Sequence, residues 1–392
     1  MSTQALRLFV IAAISFLTLV DLFATQAILP SLARAYGVPP ATIGSAVNAC
    51  TLGMAIAGVA VAYFNQRINR RLGVAISLAL LAIPTSLLAF MPDLTAFTVL
   101  RVVQGVFMSA AFSLTIAYLA ENCSAEEAAS ALAAYVTGNV ASNLIGRLMS
   151  AAVADHLGLP SNFAFFAALN LAGAALAYFA LRGTTPMATT SKSATGPTWG
   201  PLFQRPELVA CFTIGFLILF TFIGTFTYVN FLLIGAIGLS PMQLGFVYFV
   251  FVPSIIATPF AGNVAKRFGA RTTIISALVI AGLGLPLLAW PELTPVLIGL
   301  VLVAAGTFFA QATATGYVSR TAGAQRGAAG GVYLASYYSG GLVGSIVLGQ
   351  IFDRLGWNAT VLAIGIAFVI AAVLALRLIE APAFAHSAAI LK

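Results

Sequence analysis

Three ionisable side chains stand inside long apolar runs: Asp21, Arg101 and Arg147. A charge at bilayer depth costs about 2.5–3.5 kcal/mol on insertion scales, so it needs a partner, a cavity or a function. A carboxyl in such a place can carry a proton. An apolar surrounding favours its neutral form, and a neighbouring guanidinium favours its ionised form. A conformational change that exchanges those surroundings loads or releases the proton. Asp21 is the one acid that the sequence puts well inside an apolar run, so it is expected to be the coupling residue, with Arg101 and Arg147 as its partners. The competing expectation is a static charge cluster that ties helices together. Other chemistry has no residues to carry it. There is no phosphate-binding Gly-rich loop, no His-Glu-x-x-His pair and no nucleophile with a base in reach of it by motif. The two histidines, His156 and His386, stand near the edges of apolar runs. Neither an enzyme nor an ATP-driven pump is indicated, and no metal or cofactor is expected. Cys50, Cys123 and Cys211 are odd in number and scattered, which suits neither a disulfide framework nor a zinc site.

The elements that must position these residues follow from composition. Of 392 residues, 61% are hydrophobic and 7% charged, against about 25% charged in ordinary soluble proteins. A soluble fold could not cover its surface with so few charges, which argues against a soluble enzyme or a nucleic-acid binder. About 20 apolar residues cross a bilayer as a helix. Hydropathy and the Gly, Pro and charge punctuation predict twelve spans, near 6–32, 41–63, 74–92, 94–120, 126–154, 161–181, 206–236, 241–264, 271–290, 294–318, 324–352 and 357–379. The first lacks a small-residue cleavage site and is expected to be a span and not a removed leader. Between the sixth and seventh, Arg182–Arg205 is rich in Thr, Ser, Pro and Gly and reads as a linker.

Positive charge orients the spans. With the N-terminus in the cytoplasm, only Arg34, Arg101, Arg147 and Arg354 of the 18 basic residues fall elsewhere than in cytoplasmic segments. Both termini are therefore expected inside, and the basic balance, net +8, needs no nucleic acid. On this orientation Asp21 lies about 16 Å below the outer surface, and Arg101 and Arg147 each about 10 Å.

The two halves are related. Gly37-Val38-Pro39-Pro40 before the second span matches Gly238-Leu239-Ser240-Pro241 before the eighth. Gln66-Arg67-Ile68-Asn69-Arg70-Arg71 matches Lys266-Arg267-Phe268-Gly269-Ala270-Arg271. Asp155-His156-Leu157-Gly158 matches Asp353-Arg354-Leu355-Gly356. Three matches in order at a nearly constant offset indicate a duplicated six-helix unit. The expected fold is all-α and integral to the membrane, with twelve transmembrane helices as two parallel repeats. Residues 1–182 and 206–392 are the halves, and 183–205 the cytoplasmic linker. Such repeats are the architecture of secondary transporters, with the site where the halves meet near the membrane midplane.

On these motifs the chain resembles the major facilitator superfamily over essentially its whole length. Gly262-x-x-x-Lys266-Arg267-x-Gly269-Ala270-Arg271 is similar to the family's loop motif Gly-x-x-x-Asp-Arg-x-Gly-Arg-Arg. The first-half copy keeps Arg67, Arg70 and Arg71. Both copies lack the motif aspartate, which in the family helps to latch the cytoplasmic side. Arg101-x-x-Gln104-Gly105 matches the Arg-x-x-Gln-Gly signature of the fourth helix. Gly138-x-x-x-Ser142-Asn143-x-x-Gly146-Arg147 is similar to the antiporter motif of the fifth helix, with Ser142-Asn143 in place of Gly-Pro and Arg147 in place of the last Gly. Together with Gln26-x-x-Leu29-Pro30, the Gly146-Arg147 pair looks like the bacterial branch of arabinose and drug exporters.

The resemblance implies a cavity between helices 1, 4, 7 and 10, which brings forward Gln26, Tyr228, Asn230 and Gln311 as polar substrate-binding points in an aromatic lining. It implies that Arg67, Arg70, Arg71, Lys266, Arg267 and Arg271 gate the cytoplasmic side, although anchoring at headgroups would explain them equally. The expected function is proton-coupled export of a small drug- or sugar-like molecule by alternating access. The expected partners are the substrate, protons and the lipid bilayer, with no nucleic acid, and the expected state is a monomer in the bacterial inner membrane. Two alternatives are proton-coupled uptake of a small polar or anionic nutrient and a non-transporting membrane receptor.

Overall fold

The computed structural model describes residues 3–64, 69–122, 125–181 and 199–379. Most of the linker, with Arg67 and Cys123, lies outside the described residues. Within them ten continuous helices are long and apolar enough to cross a membrane, and no strand is present. Two of the ten, Ala125–Ala180 and Arg326–Ala375, have 56 and 50 residues. At 1.5 Å per residue each would be more than twice as long as a bilayer core of about 30 Å. Each is divided by a glycine with left-handed φ, Gly158 at 83° and Gly356 at 79°. An L side chain rarely adopts that conformation, so the chain reverses there. Ten continuous helices thus make the twelve spans.

In chain order the spans are α1 (Thr3–Ala27, continued by Leu29–Tyr36), α2 (Pro40–Asn48 and Cys50–Phe64), α3 (Arg70–Leu88) and α4 (Leu94–Asn122). α5 (125–157) and α6 (159–180) complete the first half. The second half is α7 (Pro206–Gly235), α8 (Pro241–Val247 through Ala261–Phe268), α9 (Ala270–Leu288), α10 (Leu293–Thr321), α11 (326–355) and α12 (357–375). The even number of spans brings residues 3 and 379 to one end of the bundle, the near end; the turns at Gly158 and Gly356 mark the far end.

The repeat matches fall on turns wherever they are described; residues 66–68 of the first loop motif lie outside the described residues. Gly37 and Gly238 both have positive φ ahead of α2 and α8. Gly269 has positive φ ahead of α9, whereas its counterpart Asn69 has φ −63° and caps α3 by accepting a hydrogen bond from the Leu72 amide. α3 and α9 thus begin by two different devices.

Within a half, helices approach at glycines whose place a Cβ would fill with the neighbour's backbone. Gly53 meets Val102, Gly105 meets Cys50, and Gly340 and Gly344 meet Phe216 and Phe220. The halves meet where α2 packs on α11 and α5 on the first turns of α8. Apolar side chains such as Ile56, Phe179, Leu283, Leu362 and Val369 point outward, as a lipid-facing surface requires.

At the far end the seam is closed. The Asp353 carboxylate accepts from the Ala41 amide at 3.1 and 3.3 Å, joining the end of α11 to the start of α2. The Tyr228 hydroxyl donates to the Ser345 carbonyl, and its ring lies against Gly44 and Gly349.

Candidate functional site

Asp21, Arg101 and Arg147 are all buried, but they form two sites and not one. The first lies within the first half. Asp21 accepts from the Asn170 amide of α6 at 2.6 Å. Asn170 also donates to Thr85 on α3 at 3.2 Å, and Gln104 on α4 donates to the same hydroxyl at 2.7 Å. The Gln104 carbonyl accepts from Arg101 Nη1 at 2.6 Å. Asp21 and Arg101 are therefore the two ends of one hydrogen-bonded relay through three neutral side chains, and no ion pair joins them directly. Arg101 reaches Asp21 only at its backbone carbonyl, 3.4 Å from Nη1. Its remaining donors go to α2: Nε to the Val47 carbonyl at 2.8 Å and Nη2 to Cys50 Sγ at 3.1 Å. The Arg-x-x-Gln-Gly signature acquires a physical content. Arg101 clamps α2, Gln104 passes its hydrogen bond on, and Gly105 lets α2 come close enough for the clamp to reach.

The second site straddles the seam and is centred on Arg147 of α5. Its Nη2 donates to Gln26 Oε1 at 2.5 Å. The Gln26 amide donates to Asn48 Oδ1 at 2.6 Å, and Asn48 donates to Thr227 of the second half at 3.1 Å. Pro30 has no N–H to give the Gln26 carbonyl, four residues earlier, its helical hydrogen bond. Asn230 of α7 takes that carbonyl at 3.0 Å, and Tyr248 of α8 donates to Asn230 Oδ1 at 2.7 Å. The helix break after Gln26 thus turns a backbone carbonyl into a contact between halves. Around the guanidinium stand the rings of Tyr248 at 4.4 Å, Phe251 at 5.4 Å, Phe23 at 5.6 Å and Phe226 at 5.7 Å. Arg147 Nε and Nη1 have no hydrogen-bond partner.

Of the four expected substrate points, Gln26 and Asn230 come together beside Arg147. Tyr228 does not join them; its hydroxyl is committed to the far-end contact with α11. Gln311 is partly buried, and its backbone carbonyl serves Thr315 within α10. At the near end Arg71 donates to the Tyr178 carbonyl at 2.6 Å and lies 4.3 Å over that ring, tying α3 to α6. Arg70 is buried, whereas Lys266, Arg267 and Arg271 are exposed. The residues that sequence reasoning passed over are Asn48, Thr85, Asn170 and Tyr248, and the role of Gln104 within its motif. Asn48 and Asn170 are single amides in apolar runs, which was the available signal. Phe222, the counterpart of Asp21 by the repeat offset, sits in a cluster with Phe226, Phe251 and Phe308, so the second half puts rings where the first puts charge.

A family model described as Major Facilitator Superfamily matches residues 11–252 and 237–390. Among curated proteins, the chain is 24% identical over 357 residues to the uncharacterized MFS-type transporter YybF of Bacillus subtilis, covering 90% of this chain and 88% of that one. It is 25% identical over 360 residues to the inner membrane transport protein YnfM of Escherichia coli, covering 91% and 86%. An uncharacterized transporter of Buchnera aphidicola (subsp. Schizaphis graminum) is 23% identical over 361 residues, covering 91% and 87%. Among solved structures, a variant of the nucleoside transporter NupG superposes with a TM-score of 0.74 at 15% identity, covering 96% of this chain and all of that one. A bacterial homologue of the human lysosomal transporter Spinster, in an inward-facing and unoccupied conformation, superposes with a TM-score of 0.73 at 14% identity, covering 96% and 94%. At these identities the two structures speak to the fold alone.

Proposed function

The chain belongs to the Major Facilitator Superfamily and is a multi-pass membrane transporter, not an enzyme; from that premise we propose that it couples protons to the export of a small organic solute by alternating access, in a bacterial inner membrane with both termini in the cytoplasm. The observation that carries the coupling is Asp21. Among the described residues it is the one buried carboxyl away from a helix end; Glu207, the other buried acid, sits in the first turn of α7 and pairs with Arg205. Asp21 is held by one neutral amide, and Arg101 reaches it through the relay without neutralising it directly. Small rearrangements of Asn170, Thr85 and Gln104 therefore change how well the ionised form is held, and that is what a proton carrier requires. Export is favoured as a reading by the likeness of the α1 and α5 motifs to exporters. Uptake of a small polar or anionic nutrient is the second reading; the uncompensated charge of Arg147 suits an anion moved in either direction.

The test uses full-length protein in proteoliposomes loaded with a pH-sensitive dye. Solute and proton fluxes in opposite senses support export, and fluxes in the same sense overturn it in favour of uptake. Asp21→Asn keeps the shape of the protonated acid but cannot change charge. Accumulation driven by a pH gradient should be lost in this variant, and equilibrium exchange should survive. Retained gradient-driven accumulation would remove Asp21 from the coupling step. Loss of both activities would make it a structural residue.

A further inference from the structure

The surroundings of Arg147 identify the class of solute. A buried cation without a counter-ion is among the costliest groups a protein can hold, and almost every buried polar atom in a folded protein finds a partner. Arg147 is completely buried, and the charged end of its side chain meets one neutral amide, the neutral Tyr248 hydroxyl and four rings, with no carboxylate among them. It is not an isolated exception. Asn143, one turn earlier, is buried with both amide atoms unpartnered, and the buried Ser150 Oγ, one turn later, is unpartnered too. Positions 143, 147 and 150 share one face of α5. These three residues make a stripe of unpartnered polar groups along one helix, whereas the other unpartnered buried donors among the described residues, on Ser109, Trp199, Ser254 and Tyr333, stand singly on separate elements. Further along the same helix, Ala151 and Ala154 line a cleft of about 200 Å³ towards the far end, with Arg34 and Asp155 also in its lining. A residue that merely pinned helices would have its donors satisfied by the helices it pins.

We propose that this stripe is the binding site for the charged group of the transported solute, and that the solute is an organic monoanion with an apolar, ring-sized body. Its anionic oxygens take the free donors of Arg147 and the Asn143 amide. Its body lies on the neighbouring rings of the second half, where Phe226 stands 4.7 Å from both Phe222 and Phe251. The anion supplies the missing counter-charge, and the rings supply a surface that binds flat apolar groups without demanding a particular hydrogen-bond pattern. The rings contact Arg147 from α1, α7 and α8, so parting the halves uncovers the guanidinium, and closing them over a bound anion restores its surroundings.

The inference deepens the transport reading and rests on it. The experiment is a thermal-shift and binding series on the purified full-length protein in detergent, using benzoate, phenylacetate and 1-naphthoate beside their amides. The carboxylates should stabilise the protein and bind on the order of tenfold or more tighter than the amides. Arg147→Gln should remove that preference, and Arg147→Lys should keep part of it. Equal binding of acid and amide, a preference that survives Arg147→Gln, or the lack of any shift with these carboxylates would overturn the proposal. The wild-type comparison stands even where a variant folds poorly. Proton coupling is read separately. A neutral solute driven by a pH gradient would overturn the anion site and leave the coupling intact. A carboxylate bound at Arg147 but indifferent to the gradient would do the reverse.

Discussion

Arg101 is a hub of hydrogen bonds before it is a charge. Its guanidinium serves Val47, Cys50, Gln104 and the Asp21 carbonyl, which lie on α2, α4 and α1. Lysine brings the charge but not the planar fork. Arg101→Lys should leave some of these acceptors unserved at a cost of about 1.5–3 kcal/mol for each charged hydrogen bond lost. A lowered melting temperature in detergent, read by intrinsic fluorescence, checks this; an unchanged melting temperature with retained coupling would make Arg101 a purely electrostatic partner of Asp21, since lysine keeps the charge. The charged members of both sites were legible because a charge in an apolar run is conspicuous. Their neutral partners were not, since one Asn, Thr or Gln among leucines gives no period that says which face it occupies. Tyr228 and Tyr248 illustrate the limit. They are equally polar and equally buried, and only the fold decides that the first closes the far end while the second holds Asn230.

At the scale of elements, the far-end seal depends on how helices begin. α8 is capped by its own Ser240–Gln243 capping box. α2 begins after Pro39, which offers no side-chain cap, and its first amides are left for another partner. Asp353 of α11 supplies the carboxylate, favoured by the positive end of the α2 dipole. Asp155, its repeat counterpart, has no such task, because α8 needs none. A missing cap costs typically about 1 kcal/mol, which is roughly fivefold in a population. Asp353→Ala should thus open the far end by about that factor, seen as faster labelling of Thr42→Cys by a membrane-impermeant maleimide. Unchanged labelling would show that the Tyr228 packing suffices alone. The turns that place these caps were readable as repeated Gly and Pro signatures. The exchange of caps between halves was not, because it joins residues 312 positions apart.

At the scale of the whole molecule, length, charge depletion and the duplicated turns were enough for twelve spans in two repeats. The state in which the halves meet was not readable, since one sequence must support every state of the cycle. Orientation rests on the placement of fourteen of 18 basic residues. A reporter inserted within Thr184–Gly196 should therefore behave as cytoplasmic, and a periplasmic signal there would overturn it. The uneven sharing of charge has a consequence of its own. With Asp21 ionised, the three buried groups sum to one positive charge, all of it in one half. A membrane voltage is worth about 2.3 kcal/mol per elementary charge per 100 mV. An aqueous cavity that reaches Arg147 brings the potential of its own side to that charge, so the negative side of the membrane draws the empty carrier to face it. A bound monoanion cancels the charge and releases the carrier from the field. The voltage therefore sets where the empty protein waits, and has little hold on the loaded one.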